Sequence, residues 1–161
     1  MNYHNIEHCS LLQGEGCRVV LWVSGCGFRC KGCHNKQTWD KNSGLPFDDE
    51  AKAELMKALS NPDIDGITFL GGEPLMPYNY NTVMELMKEI KIKFPKKNIW
   101  CYTGYVYESI LENRPEILKY IDVLVDGQFI EELKNNSLHW VGSSNQRVLK
   151  LKDGVIDSVI F

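Results

Sequence analysis

Short apolar runs alternate with amphipathic segments along most of this chain. Each apolar run is only five to seven residues long and rich in β-branched residues, which is typical of a buried strand. The runs that predict strands are residues 19–23, 64–70, 98–103 and 121–125. Three segments predict helices. The first follows the capping residues 48–50, the second ends at Pro95, and the third covers 106–118 with a break or restart at Pro115. The order is therefore strand, helix, strand, helix.

This alternation predicts an α/β fold with a parallel sheet. Right-handed crossovers bring the functional loops together at the carboxyl ends of the strands. A terminal hairpin is predicted by two β-rich runs, 147–151 and 155–160, around Asp153-Gly154. A closed eight-stranded β/α barrel needs about 200 residues or more, so a chain of 161 residues can form only part of one. We expect one domain, residues 1–161, folded as a partial, open TIM-like barrel.

Composition narrows the possible partners. Hydrophobic residues make up 43% of the chain, which is enough for one core, and the formal charge is -3. An acidic balance without a basic run argues against nucleic-acid binding. No apolar run approaches membrane-spanning length, and residues 1–8 lack the regions of a signal peptide. We therefore expect a cytoplasmic protein.

Three cysteines in the segment C-GFR-C-KG-C are the main chemical feature. Cys26, Cys30 and Cys33 lie on the loop that leaves the first predicted strand. Soft thiolates at this spacing indicate a metal or cluster site. Because four ligands complete an iron–sulfur cubane, three cysteines leave one iron open to a further ligand. The loop therefore predicts a reactive centre.

The other three cysteines lie apart from this loop. In a reducing compartment, thiols are favoured over disulfides. We expect Cys9, Cys17 and Cys101 to be small buried side chains.

The cysteine spacing, together with Gly71-Gly72-Glu73-Pro74 after the next strand, resembles the radical S-adenosylmethionine superfamily. The resemblance implies that the three cysteines hold a 4Fe-4S cluster. It also implies that Gly71, Gly72 and Glu73 bind the methionine moiety of S-adenosylmethionine, whose amino and carboxylate groups chelate the open iron. These residue types suit that role, because glycines let the backbone approach a ligand closely and a carboxylate accepts hydrogen bonds from an amino group. Pro74 is expected in the first turn of the following helix.

Further cofactor contacts are predicted near the same edge of the sheet. The chain has Gly32 where many superfamily members place an aromatic residue beside the adenine, so backbone contacts from Gly32, Cys33 and His34 are expected instead. Thr103 and Asp126 end the third and fourth strands, where polar cofactor contacts are found in some relatives. A capping hydroxyl and a turn-forming Asp-Gly remain equally good interpretations. For Arg147, a salt bridge is expected, with a cofactor or partner contact as the alternative.

A narrower resemblance is carried by several short segments. They are residues 14–21, 24–26, 33–35, 126–129 and 142–148. These segments are similar to the family of activating proteins of anaerobic, class III ribonucleotide reductase. That likeness implies cleavage of S-adenosylmethionine to methionine and a 5'-deoxyadenosyl radical, which takes a hydrogen atom from a glycine of the reductase. The implied partners are the large glycyl-radical subunit and reduced flavodoxin or a similar electron donor. A homodimer, or a heterotetramer with the reductase, is possible on the same grounds.

Other functions fit part of the pattern. The run Cys30-Lys31-Gly32-Cys33-His34 matches a c-type haem attachment motif. That interpretation leaves Cys26 without a role and requires an exported protein, whereas the chain shows no export signal. A structural zinc site from the three cysteines and His34 would need adjacent residues to reach one ion. Neither accounts for the Gly-Gly-Glu turn. An activase of another glycyl-radical enzyme stays open as the nearest alternative.

Overall fold

Eight strands and three helices build the molecule, and a computed structural model describes all 161 residues. The strands are β1 (Asn2–Ser10), β2 (Arg18–Val23), β3 (Leu45–Pro46), β4 (Gly66–Gly71), β5 (Asn98–Tyr102), β6 (Val123–Asp126), β7 (Arg147–Lys152) and β8 (Val155–Val159). The helices are α1 (Asp49–Leu59), α2 (Pro77–Lys93) and α3 (Tyr107–Asn113), with 3-10 turns at Lys36–Thr38, Pro115–Tyr120 and Glu131–Leu133.

The strands form one sheet in the order β3-β1-β2-β4-β5-β6-β7-β8. Its centre, β2-β4-β5-β6, is parallel, as the alternating pattern predicted. Antiparallel strands flank this centre on both sides, and the predicted terminal hairpin β7-β8 is one of the flanks. The sheet has two edge strands, β3 and β8. Curvature of this sheet into a partial barrel stays a prediction.

Side-chain alternation gives the sheet two buried faces. A cluster of 25 residues joins one face to the helices, with Leu55 of α1 and Val83 of α2 among its members. A smaller cluster around Trp100 covers the other face, where the Trp140 ring lies 5.0 Å from the Trp100 ring. Because successive strand residues point to opposite faces, Trp100 and Cys101 belong to different clusters. None of the helices has the length and apolar character needed to cross a bilayer.

Element ends agree with the sequence analysis at some points and differ at others. Asp48 caps α1 as predicted, since its carboxylate accepts a hydrogen bond from the Ala51 amide at 2.9 Å. The expectation for Pro74 was wrong, because α2 begins three residues later with Pro77 in its first turn. No strand was predicted for β1 or β3, whose positions are mostly exposed or half-buried and carry no apolar run.

The prediction of buried thiols at Cys9 and Cys17 was also wrong. These two residues form a disulfide, with Cα atoms 5.5 Å apart, and Cys9 is exposed. The cause is tertiary, because antiparallel pairing of β1 and β2 places Ser10 opposite Arg18 and brings the neighbouring cysteines together. Cys101 is buried as predicted.

Candidate metal centre

The loops that follow β2 and β4 meet above the carboxyl ends of the parallel strands. The Gly72 amide donates to the Val23 carbonyl at 2.9 Å, and the Glu73 amide donates to the Gly25 carbonyl at 2.7 Å. A Cβ atom on Gly72 would lie 2.4 Å from the Gly25 oxygen, so this close approach requires glycine. The cysteine loop and the Gly-Gly-Glu turn therefore face each other, as predicted.

A cavity of about 180 Å³, partly open to solvent, lies between these loops. Seven of the predicted site residues line it: Cys26, Cys30, Cys33, Gly71, Gly72, Glu73 and Thr103. Aromatic side chains of Phe28, Trp39, Tyr102 and Phe129 complete much of the wall. The cavity thus combines soft thiols, one carboxylate and apolar surface, which is a common composition for a cofactor site.

Glu73 is the buried acid of this cavity. Its carboxylate accepts hydrogen bonds from the Thr103 hydroxyl at 2.7 Å, from the Gly104 amide at 2.7 Å and from the Leu75 amide at 2.9 Å. Burial raises the pKa of Glu73 to about 7, although these three donors and the charge of Arg114 oppose the rise. The carboxylate is therefore held in one orientation and titrates near neutral pH.

The cysteine loop is anchored from two sides. On one side, the Cys26 amide donates to the Trp39 carbonyl at 3.1 Å. On the other, Phe28 lies against Gly104, where a Cβ atom would come within 2.6 Å of the ring, and its centroid is 4.9 Å from that of Tyr105. Burial raises the pKa of the Cys26 and Cys30 thiols, so a bound cation is needed to favour both thiolates near neutral pH.

Three predicted cofactor contacts do not line the cavity. Gly32 has φ +76° and faces Glu131, and His34 is exposed with its ring 6.1 Å from that of Phe129. Asp126 is buried, accepts from the Tyr107 amide at 2.7 Å and pairs with Arg147. The salt bridge expected for Arg147 is therefore present. Cofactor contacts from Gly32, His34 and Asp126 stay predictions.

Sequence reasoning missed several residues that shape the site. Asn79 is buried on α2, and its side-chain amide donates to the carbonyls of Ser24 and Glu73 at 2.9 and 3.1 Å. It thereby ties the two loops together. The sequence around Asn79 gives no signal of such a role. Ser24 lies 55 residues away, and Glu73 lies on the other side of the turn that precedes α2.

Two further side chains of the cavity wall have buried polar atoms without partners. They are the Trp39 indole Nε1 and the Tyr102 hydroxyl. Burial raises the pKa of Tyr102, so its hydroxyl is a neutral group. Unpaired buried polar atoms are uncommon in folded proteins, so each of these two atoms needs an explanation.

The donor set fits an iron–sulfur cluster. No three His, Cys, Asp or Glu side chains converge closely enough to hold a single metal ion. In a cubane each thiolate binds a different iron, so three cysteine sulfurs spread around one cavity suit it. The three thiols and the cavity that they line therefore fit the class of iron–sulfur proteins.

Comparison with known sequences agrees with this class. The family described as a 4Fe-4S single cluster domain matches residues 12–149. The chain is 43% identical over 155 residues to the anaerobic ribonucleoside-triphosphate reductase-activating protein of Enterobacteria phage T4, covering 96% of this chain and 97% of that protein. The proteins of the same name from Escherichia coli K12 and Haemophilus influenzae are 40% and 39% identical over 154 residues, which is 94% of this chain in each case and 100% and 99% of those proteins. The chain belongs to this family of activating proteins.

Proposed function

We propose that this chain is a radical S-adenosylmethionine enzyme that activates anaerobic ribonucleoside-triphosphate reductase. The observation that carries the proposal is the shared cavity of Cys26, Cys30, Cys33 and the Gly71-Gly72-Glu73 turn. Relatives similar over nearly their whole length carry the name of that reductase's activating protein, which supports the choice of partner.

Each group of residues has a distinct part in this function. The three cysteines would hold a 4Fe-4S cluster and leave one iron open. Gly71 and Gly72 would let the backbone approach the methionine moiety of S-adenosylmethionine, and Glu73 would accept a hydrogen bond from its amino group. Thr103 acts through Glu73, because its hydroxyl donates to that carboxylate. Phe28 and Phe129 line the cavity and would shield a bound cofactor from water on the sides that they cover.

When bound, the cluster and S-adenosylmethionine would supply one-electron cleavage of S-adenosylmethionine to methionine and a 5'-deoxyadenosyl radical, for abstraction of a hydrogen atom from a glycine of the large reductase subunit. The protein orients the cofactor and keeps solvent from the radical. Reduced flavodoxin or a similar carrier in the cytoplasm would supply the electron.

The test is electron paramagnetic resonance on anaerobically reconstituted, chemically reduced protein, with and without S-adenosylmethionine. We expect a reduced-cluster signal that changes when the cofactor is added, and a glycyl radical when the reductase is added as well. Cys30→Ser should lose the signal, whereas Cys101→Ala, at a buried position outside the cavity, should keep it. A cluster signal that ignores S-adenosylmethionine would contradict the proposal.

A further inference from the structure

Three cations lie exposed on the segment that carries and follows the cysteine ligands. They are Arg29, Lys36 and Lys41, and none of them forms a salt bridge with a carboxylate. Lys31 differs, because its ammonium lies 3.7 and 3.9 Å from Glu131 and Glu132. Asp40 is the sole acid between positions 29 and 41, although the whole chain has a formal charge of -3. This part of the surface is therefore basic on an acidic molecule.

Aromatic rings hold two of these cations without neutralising them. The Arg29 guanidinium lies 5.4 Å from the Trp39 ring centroid, and the Lys41 ammonium lies 5.5 Å from that of Tyr78. Tyr78 is itself 41% exposed. Tyrosine and arginine are enriched at the centres of protein interfaces. Lys36 lies beside the same tryptophan, because its carbonyl accepts a hydrogen bond from the Trp39 amide at 3.1 Å. We name Arg29, Lys36, Lys41 and Tyr78 the basic patch.

The basic patch adjoins the ligand loop but lies outside the cavity. A Cβ atom on Gly25 would come within 2.4 Å of the Tyr78 ring and 2.9 Å of the Lys41 side chain, so both pack beside the residue before Cys26. Arg29 lies on the ligand loop itself, between Cys26 and Cys30. None of the four patch residues lines the cavity.

The position of the patch matters because the electron must come from another molecule. Apart from the three cavity cysteines, the chain has one buried thiol, Cys101, and the Cys9–Cys17 disulfide. It therefore has no ligand set for a second cluster that would carry electrons from a distant surface. The surface beside Cys26 gives an external electron carrier a short route to a cluster held by that residue.

We propose that the basic patch is the docking surface for an acidic one-electron carrier protein. This inference rests on the proposed function and deepens it. The reduced cofactor of the carrier loses one electron, the cluster held by the three cysteines gains it, and no atom is transferred. The reductase fits this surface less well, because its glycine must enter the cavity, which the patch residues do not line. Opposite charges on the two surfaces would steer the carrier to the loop.

The test compares two variants of equal charge. Lys36→Glu/Lys41→Glu alters the patch, and Lys88→Glu/Lys96→Glu is the matched control; each replaces two positive by two negative charges and takes the formal charge from -3 to -7. Lys88 and Lys96 are both exposed. Helix α2 begins at Pro77, shortly after the Gly-Gly-Glu turn, and Lys88 lies eleven residues, about 16 Å, further along it. Anaerobic stopped-flow absorbance would follow reduction of the reconstituted cluster by reduced flavodoxin, as the acidic carrier, and by dithionite.

We expect the patch variant to slow reduction by flavodoxin about tenfold or more relative to the control at low ionic strength. The difference should shrink at high salt, where surface charges are screened. Dithionite is also an anion but needs no docking surface, so its rates should differ much less between the two variants than the rates with flavodoxin. Lys36→Gln/Lys41→Gln, which only neutralises the two charges, should give an intermediate rate and provides a milder variant if charge reversal impairs cluster loading.

Three results would overturn the inference. Equal slowing in the patch and control variants would show that only net charge matters. An unchanged rate with flavodoxin would show that the patch does not receive the carrier. Normal reduction combined with impaired activation of the reductase would assign the patch to the reductase instead. Wild-type protein that binds no cluster would overturn the proposed function as well, so the two failures are distinguishable.

Discussion

Glu73 shows how a single residue's surroundings set its chemistry. Its carboxylate is 2% exposed and accepts three hydrogen bonds, and burial nevertheless raises its pKa to about 7. A ligand that donates an N–H to this group favours the ionised carboxylate. Ligand binding and deprotonation of Glu73 are therefore coupled near neutral pH.

We predict that binding of S-adenosylmethionine depends on pH through Glu73. Above pH 7 the carboxylate is ionised and the affinity should be constant, whereas below pH 7 the affinity should fall by about tenfold per pH unit as the acid form increases. Calorimetric titration of the reconstituted protein between pH 6 and 8.5 measures this. Glu73→Gln should bind more weakly and lose the dependence, and an unaltered dependence in that variant would assign the titration to another group.

The unpaired Tyr102 hydroxyl gives a second prediction at this scale. Because the oxygen is buried without a partner, Tyr102→Phe should leave the free energy of unfolding unchanged or raise it by about 1 kcal/mol. The matched variant Tyr107→Phe removes a hydroxyl that donates to the Gly154 carbonyl at 2.8 Å, and should lower it by about 1 kcal/mol. Urea denaturation of both variants without cofactor makes the comparison. A larger loss in Tyr102→Phe would show that its hydroxyl has a partner.

At the scale of elements, the predicted strands and helices are those that carry a strong local pattern. The buried central strands are continuous apolar runs, and α1 has both a capping aspartate and apolar residues at helical spacing. The strand β1 has no such pattern, because only Ile6 and Ser10 are buried along its nine residues. Its place in the sheet is decided by backbone pairing with β2.

The pairing of β1 with β2 has a measurable consequence through the Cys9–Cys17 disulfide. The eight-residue separation predicts that this link raises the free energy of unfolding by about 2 to 3 kcal/mol through the smaller entropy of the unfolded chain. Cys9→Ser should lose that amount in urea denaturation under non-reducing conditions. With excess reductant the two proteins should be equally stable, and a difference that persists would trace the loss to the thiol itself.

At the scale of the whole molecule, the site lies where loops from one end of the parallel sheet converge. The three cavity cysteines are half-buried, and the cavity is partly open to solvent. A cluster with one open iron in such a cavity is accessible to small oxidants. Under the proposed function, the same opening would give the glycine of the reductase a route to the cavity.

We predict that air destroys the reconstituted site and that S-adenosylmethionine slows the loss. The cofactor would occupy the open iron and fill the cavity, so a ligand that binds only the intact site protects it. Iron retained after desalting, measured against time of air exposure with and without the cofactor, checks this. Methionine sulfone, which lacks the sulfonium and the adenosyl group, should protect less. Unchanged iron and activity in air would contradict an open cluster.

The sequence by itself determined the residue types of the candidate site and the central fold. Cysteine spacing and a glycine-rich turn are local features, so Cys26, Cys30, Cys33 and Gly71-Gly72-Glu73 could be assigned to one site. The alternation of elements fixed a parallel sheet, and parallel strands place their following loops at one edge. That edge is where the two loops meet.

Only the tertiary structure decided which distant groups surround those residues. The contacts of Glu73 with Thr103 and Gly104, of Asn79 with Ser24, and of Asp126 with Arg147 join positions separated by 21 to 55 residues. Such contacts follow from packing and carry no local pattern. The same reason explains the Cys9–Cys17 disulfide, the flanking strands and the contact of Lys41 with Tyr78 in the basic patch, which form because separate elements pack side by side.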